Sequence, residues 1–278
     1  MMLGGPLSGS AHHSRRLHGV AAVLLLLLLS FAQQAVAQSK ASFFGSEEES
    51  EFALVGIIYD LKQTQKREPT RMDAHRGYSA VVEEFLEKGW DEGVLNRYFR
   101  CARPLYTTQI FIPTMGAGEA PKAFGLEKVI KPSMWVAHYK GQVSPPEPGT
   151  YRFVGYADDL MAVAVNSKTV LFGSRFNTAQ WKGTEKNGPK AGNGFLTYGD
   201  WITIKKDEVI DLDIVIGERP GGQFNGFLLY QKQGETYQND EKGFPILPIF
   251  QLAPFETQQF EANRTTRFAP STKYWKGH

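Results

Sequence analysis

The chain has 278 residues, 31 Lys and Arg against 29 Asp and Glu, and a single cysteine. So even a charge balance offers no basic excess for a phosphate backbone to reward, which argues against a nucleic-acid partner. One cysteine excludes an intrachain disulfide, so the fold must rest on its core, and Cys101 reads as a small buried apolar residue.

Taken in chain order, residues 1–37 read as a signal peptide. Arg15 and Arg16 precede an apolar run from Val20 to Leu29, and Ala35-Val36-Ala37 has the small-x-small form of a cleavage site. The run is too short to span a bilayer comfortably, which leaves an uncleaved signal anchor as the competing reading, and no other segment approaches about 18 consecutive apolar residues. Cleavage there takes two arginines and no acid, leaving about 240 residues with basic and acidic side chains in balance. The expected destination is the periplasm, the cell surface or the medium.

Residues 38–50 look like a polar, mobile leader. Phe52 to Leu61 is apolar and β-branched enough for a buried strand, and Lys62 to Lys66 is a solvated face. Asp73 is a plausible N-cap for a helix whose Tyr78, Val81, Val82, Phe85 and Leu86 fall on one stripe. A short second helix is expected through Val94 to Phe99. Residues 38–99 thus form a leader and a strand-plus-helix extension.

From Leu105 the periodicity switches to two. Strands are expected at Leu105 to Ile112, Met134 to Lys140, Thr150 to Tyr156, Met161 to Val165, Lys168 to Phe172, Trp201 to Lys206, Glu208 to Ile216 and Gly226 to Gln231, with a loop from Pro113 to Ala123. Asn166-Ser167 suits a tight hairpin, since asparagine tolerates positive φ. The pattern predicts a mostly β protein, an antiparallel β-sandwich over residues 100–232. Residues 233–278 form a tail rich in proline and aromatics, extended across the domain, with a possible sequon at Asn263.

The chemistry concentrates at Asp158-Asp159, between two strands. Neighbouring carboxylates repel unless a cation or hydrogen-bond donors compensate them, so the pair either holds a metal or caps a loop through local amides. Arg219, in Arg219-Pro220-Gly221-Gly222, either grips a carboxylate or sugar hydroxyl at the rim or simply sits on a tight turn. Trp181, in a polar loop, is a candidate sugar-stacking platform, whereas Trp135 and Trp201 read as core. His75 and His138 have no companions at metal-ligand spacing. No nucleophile elbow, His-Glu-x-x-His or phosphate-cradling loop is present, and Glu83-Glu84 diverge on a helix, so the sequence does not read as an enzyme.

The run Trp135-Val-Ala-His-Tyr-Lys-Gly141, then Pro145-Pro146, Gly149-Thr-Tyr-Arg-Phe153, Asp158-Asp159, Val165-Asn-Ser-Lys168 and Glu218-Arg-Pro-Gly-Gly-Gln-Phe224, resembles the PA14 family over residues 100–232. That family is the β-sandwich module of toxins, glycosidases and adhesins. Leu160 and Ser167 stand where the family usually has glycine. The resemblance implies a cis peptide between Asp158 and Asp159. It also implies Ca2+ held by both aspartates with an asparagine from a later loop (Asn225, between Gly221 and Gly226), and vicinal sugar hydroxyls bound through that ion. The expected partner is a glycan or other cell-envelope component. The competing expectation is a structural or assembly protein that docks partner chains through its tail.

Overall fold

The computed structural model describes Met1 and residues 42–183, 188–254, 268–269 and 271–278. The expected signal peptide (beyond Met1) and Asn263 lie outside the described residues.

In chain order the elements are β1 (Leu54–Thr64), α1 (Arg76–Glu87), α2 (Glu92–Leu95), β2 (Tyr98–Arg100), β3 (Leu105–Thr107), β4 (Phe111–Gly116), α3 (Glu119–Ala123), β5 (Trp135–Ser144) and β6 (Gly149–Asp158). They continue with β7 (Leu160–Val165), β8 (Lys168–Phe172), β9 (Lys190–Ala191), β10 (Gly194–Phe195), β11 (Thr197–Tyr198), β12 (Ile202–Ile204), β13 (Ile210–Glu218), β14 (Gln223–Lys232) and β15 (Lys276–Gly277). One sheet has the order β2-β1-β5-β13-β7-β8, with β3 on β1 and β15 on β5. The other has the order β11-β6-β14-β4, with β12 on β6. All their ladders are antiparallel, and the two sheets form the sandwich the periodicity predicts.

Alternation along each strand decides which core a side chain joins. On β1, Leu54 and Ile58 face the inter-sheet core, while Tyr59 and Leu61 face α1. The helix lays Tyr78, Val81, Val82, Phe85 and Leu86 over the larger sheet, against Val136, Leu160, Ala162, Ala164 and Val215. That sheet is therefore covered on both faces. This is why β7 (Leu-Met-Ala-Val-Ala-Val) is buried at every position rather than alternating. The N-cap position falls on His75 rather than Asp73 and carries no side-chain cap. Asp73, two residues earlier, accepts N–H bonds at its Oδ1 from Arg76 at 2.5 Å and His75 at 3.0 Å, which hold its carboxyl below the usual range. The turn at Asn166 and Ser167 has φ of 50° and 64°, the left-handed pair a tight hairpin needs.

Several boundaries differ from the sequence pattern. The division expected at residue 99 does not separate two bodies: residues 40–278 form one unit, and β1 lies inside the larger sheet between β2 and β5. Nor is the expected leader free, since Phe44 is buried against Trp135 and Phe224 and Ser46 bridges to Tyr106. The second helix is a single turn, after which β2 begins. Leu105 to Ile112 breaks into β3 and β4, and β4 continues through Pro113 to Gly116 in what looked like a loop. Proline is tolerated there because β4 is an edge strand.

The tail runs along the smaller sheet, with Leu247 and Ile249 closing its outer face. It then places Phe250 and Trp275 in the inter-sheet core. Of the described tail aromatics, Phe250 and Trp275 are thus spent on the chain's own core, while Tyr274 is 37% exposed. Cys101 is buried, as expected. Among the described residues no helix is long and apolar enough to cross a membrane.

Candidate functional site

The chain changes sheets twice at one end of the sandwich. Strand β6 in the smaller sheet hands over to β7 in the larger through Asp158-Asp159, and β13 in the larger returns to β14 in the smaller through residues 219–222. The peptide bond between Asp158 and Asp159 is cis, as the resemblance implied. Asn225 stands opposite Asp158 in the β14–β6 register, on a strand rather than in the loop where the sequence placed it.

A second loop clamps this corner. Gly173 crosses so close to the Gly155 carbonyl that no Cβ would fit, and its carbonyl accepts the Ala157 N–H. Ser174 is buried and bonded through its hydroxyl to both the N–H and the carbonyl of Met161. Arg175 then donates its backbone N–H to the Asp159 carbonyl at 2.8 Å, while Asp159 donates its own to Gly217 at 3.0 Å.

The side chains gathered here are strongly coupled. Asp158 Oδ1 accepts from Arg175 Nη1 at 2.9 Å and its Oδ2 from Asn193 Nδ2 at 3.0 Å. Asp159 Oδ2 accepts the Arg219 backbone N–H at 3.1 Å, and Arg219 Nη2 lies 4.0 Å from Asp159 Oδ1. Burial, then the charge of Asp158, raises the Asp159 carboxyl above the usual carboxylate range. Glu218 is more strongly affected: burial, reinforced by Asp159, pushes it up to about 8, so it keeps its proton at neutral pH. Its Oε1 accepts the Gly221 N–H at 2.9 Å.

Against this density of partners, some atoms have none. Six buried side-chain atoms among the described residues lack a hydrogen-bond partner: Tyr156 Oη, Glu218 Oε2, Arg219 Nε, both amide atoms of Asn225, and Trp275 Nε1. All but the last belong to this corner, and a proton on Glu218 would pair its carboxyl with the neighbouring Asp159 side chain. Asn225 is fully buried, and Gly192, at φ 54°, passes directly over its amide, where a Cβ would collide with it. Native interiors rarely leave such groups unpaired, so this cluster calls for an ordered water or an ion as partner.

Replacing Asn225 by leucine should therefore stabilise the ligand-free protein, by about 1–3 kcal/mol for removing an unsatisfied buried amide. Urea unfolding in the presence of chelator is the measurement, and a loss of stability would show that the amide is satisfied in solution.

Four of the five expected site residues meet here: Asp158, Asp159, Asn225 and Arg219. Trp181 does not. It is partly buried, its ring 6.2 Å from Phe172 in the helix-side core; Phe172 in turn lies 5.9 Å from Phe176, on which the Arg219 guanidinium stacks at 4.9 Å. Trp201, expected in the core, is instead 43% exposed and stacked on Arg152, while Trp135 is core as expected. Leu160, where the family usually has glycine, packs in the helix-side core. The residues the sequence reading missed are Arg175, Asn193, Tyr156 and Glu218. None carries a local signal, and only the double sheet crossing assembles them.

Among the described residues no group of three or more His, Cys, Asp and Glu side chains forms a metal site. A set of two carboxylates and an amide oxygen falls below that count yet suits a hard cation, which accepts amide and backbone oxygens equally. An open cleft of about 390 Å3 lies elsewhere, between Ser42–Ser50 and Tyr106–Gln109, and includes none of these residues.

No family model matches the sequence, and no curated protein matches it. Solved structures do. The PA14 sugar-binding domain from an RTX adhesin is 17% identical, with 67% of this chain and 93% of that one covered and a TM-score of 0.42. The PA14 domain of the MpAFP antifreeze protein is 14% identical, covering 72% and 90%, with a TM-score of 0.40. The epithelial adhesin 6 A domain from Candida glabrata, in complex with Galb1-3GlcNAc, is 13% identical, covering 71% and 92%, with a TM-score of 0.39.

Proposed function

We propose that this chain is an exported, non-enzymatic binding module that takes carbohydrate hydroxyls at the Asp158-Asp159 corner with the help of Ca2+. The observation that carries the reading is the convergence of unpartnered buried atoms on that corner, above all the Asn225 amide beside two carboxylates. Asp158, Asp159 and the Asn225 amide oxygen are the residues that would hold the ion, all hard oxygen donors. Bound there, Ca2+ supplies open coordination positions suited to vicinal hydroxyls. The chain's own contribution is orientation. The Arg219 N–H fixes Asp159, the Gly173–Arg175 loop fixes the corner, and a protonated Glu218 keeps a third negative charge away from the pair. Export rests on the leader-like segment of residues 1–37.

Adding millimolar Ca2+ to the purified protein is expected to raise its melting temperature, because a ligand binding only the native state stabilises it by mass action, about 2.7 kcal/mol at a hundredfold excess over Kd. The double variant Asp158→Asn, Asp159→Asn should lose that gain. A melting temperature indifferent to both Ca2+ and chelator would overturn the calcium reading. Glycan binding is then measured with and without chelator, and binding unaffected by chelator would detach the sugar from the ion.

A further inference from the structure

The two arginines at the corner are held very differently. Arg219 is 17% exposed, with its guanidinium stacked on Phe176 and its backbone N–H on Asp159. Arg175 is rooted as firmly through its backbone, yet its side chain is 47% exposed and grips Asp158 through Nη1 alone. The carboxylates it covers are only 6% exposed. Arg175 is therefore, with the exposed Asn193, an outer member of the cluster and the cationic one.

The charges show what it does there. Each aspartate has a guanidinium beside it, Arg175 at 2.9 Å from Asp158 and Arg219 at 4.0 Å from Asp159. Both oxygens of Asp158 are already engaged, by Arg175 and by Asn193. A divalent cation approaching Asp158 Oδ1 meets the like charge of the Arg175 guanidinium already bonded there at 2.9 Å, a repulsion that favours withdrawal of the side chain. The displaced group has solvent immediately beside it, so the exchange needs no movement of the backbone bonds that define the corner.

We propose that Arg175 is a built-in counter-cation that occupies the metal position on Asp158 in the metal-free protein and competes with the divalent ion for it. It keeps the paired carboxylates compensated when no metal is present, and it sets the affinity for Ca2+ lower than the oxygen donors alone would give. The inference rests on the calcium reading above and assigns its regulation to one side chain.

The test is calorimetric titration of Ca2+ into the metal-free full chain, for wild type, Arg175→Ala and Arg175→Lys, with melting temperatures recorded in chelator. Removing a charge-assisted hydrogen bond that competes with the ion should tighten Ca2+ binding about tenfold in Arg175→Ala. The same variant should melt lower than wild type in chelator and regain the difference on adding Ca2+. Arg175→Lys, which keeps the charge, should stay near wild type. Arg175→Gln replaces the alanine variant where the latter does not fold without metal. Ca2+ affinity equal to or weaker than wild type in the uncharged variant, with wild type binding normally, overturns the competitor role and leaves the calcium site standing. If neither wild type nor a folded variant binds Ca2+, the calcium reading itself fails and this inference with it.

Discussion

Glu218→Gln is expected to stabilise the protein at pH 8 and above, with a gain that shrinks as the pH is lowered toward 4.5. Burial and the neighbouring Asp159 raise the Glu218 carboxyl from 4.5 to about 8 in the folded chain. In the unfolded chain the group ionises at its ordinary pKa, so between these values the unfolded state sheds a proton that the native state retains. The native state therefore binds more protons there, and stability falls as pH rises. The contribution is fully present below 4.5, declines through the interval and is gone above about 8. Asp159, also raised, acts in the same direction. Glu147, lowered to about 2 by Lys232 and then Lys273, acts oppositely, and its contribution is lost only in acid.

A shift of this size corresponds to a few kcal/mol at 1.36 kcal/mol per pKa unit. Glutamine keeps the acceptor for the Gly221 N–H and adds a donor that stands in for the proton. Denaturant unfolding of both proteins in chelator from pH 4.5 to 9 is the check. Parallel stability curves would show that Glu218 is ionised in the native corner.

Trp275→Ala should cost about 3–5 kcal/mol, the range for truncating a buried large aromatic. Trp275 is 1% exposed, and its ring centroid lies 5.3 Å from Tyr151, 5.4 Å from Phe250, 5.6 Å from Phe153 and 5.8 Å from Tyr230. It closes the inter-sheet core at the point where β15 joins β5, so its loss opens a cavity and releases the C-terminal strand together. Trp275→Phe should cost much less, because phenylalanine fills most of the space and removes an indole N–H that has no partner. Equilibrium urea unfolding measures both. An alanine variant within 1 kcal/mol of wild type, well short of the cavity range, would mean that the C-terminal segment is not docked in solution.

The amino-acid pattern determined a good part of this. The stripe from Tyr78 to Leu86 specified an amphipathic helix, and the period-two runs specified antiparallel strands. Asn166-Ser167 marked a hairpin, and Asp158-Asp159 stood out because adjacent carboxylates need compensation wherever they occur. Each of these rests on interactions within a few residues, which spacing alone records. The tertiary structure decided the rest. It placed β1 between β2 and β5 and turned Trp201 outward and Trp181 inward. It also brought Arg175, Asn193, Glu218 and Asn225 around the aspartates from four separate segments. Those facts depend on strand order and on two sheet crossings at one end. Pairing across 17 to 67 residues leaves no periodic trace in the chain that makes it.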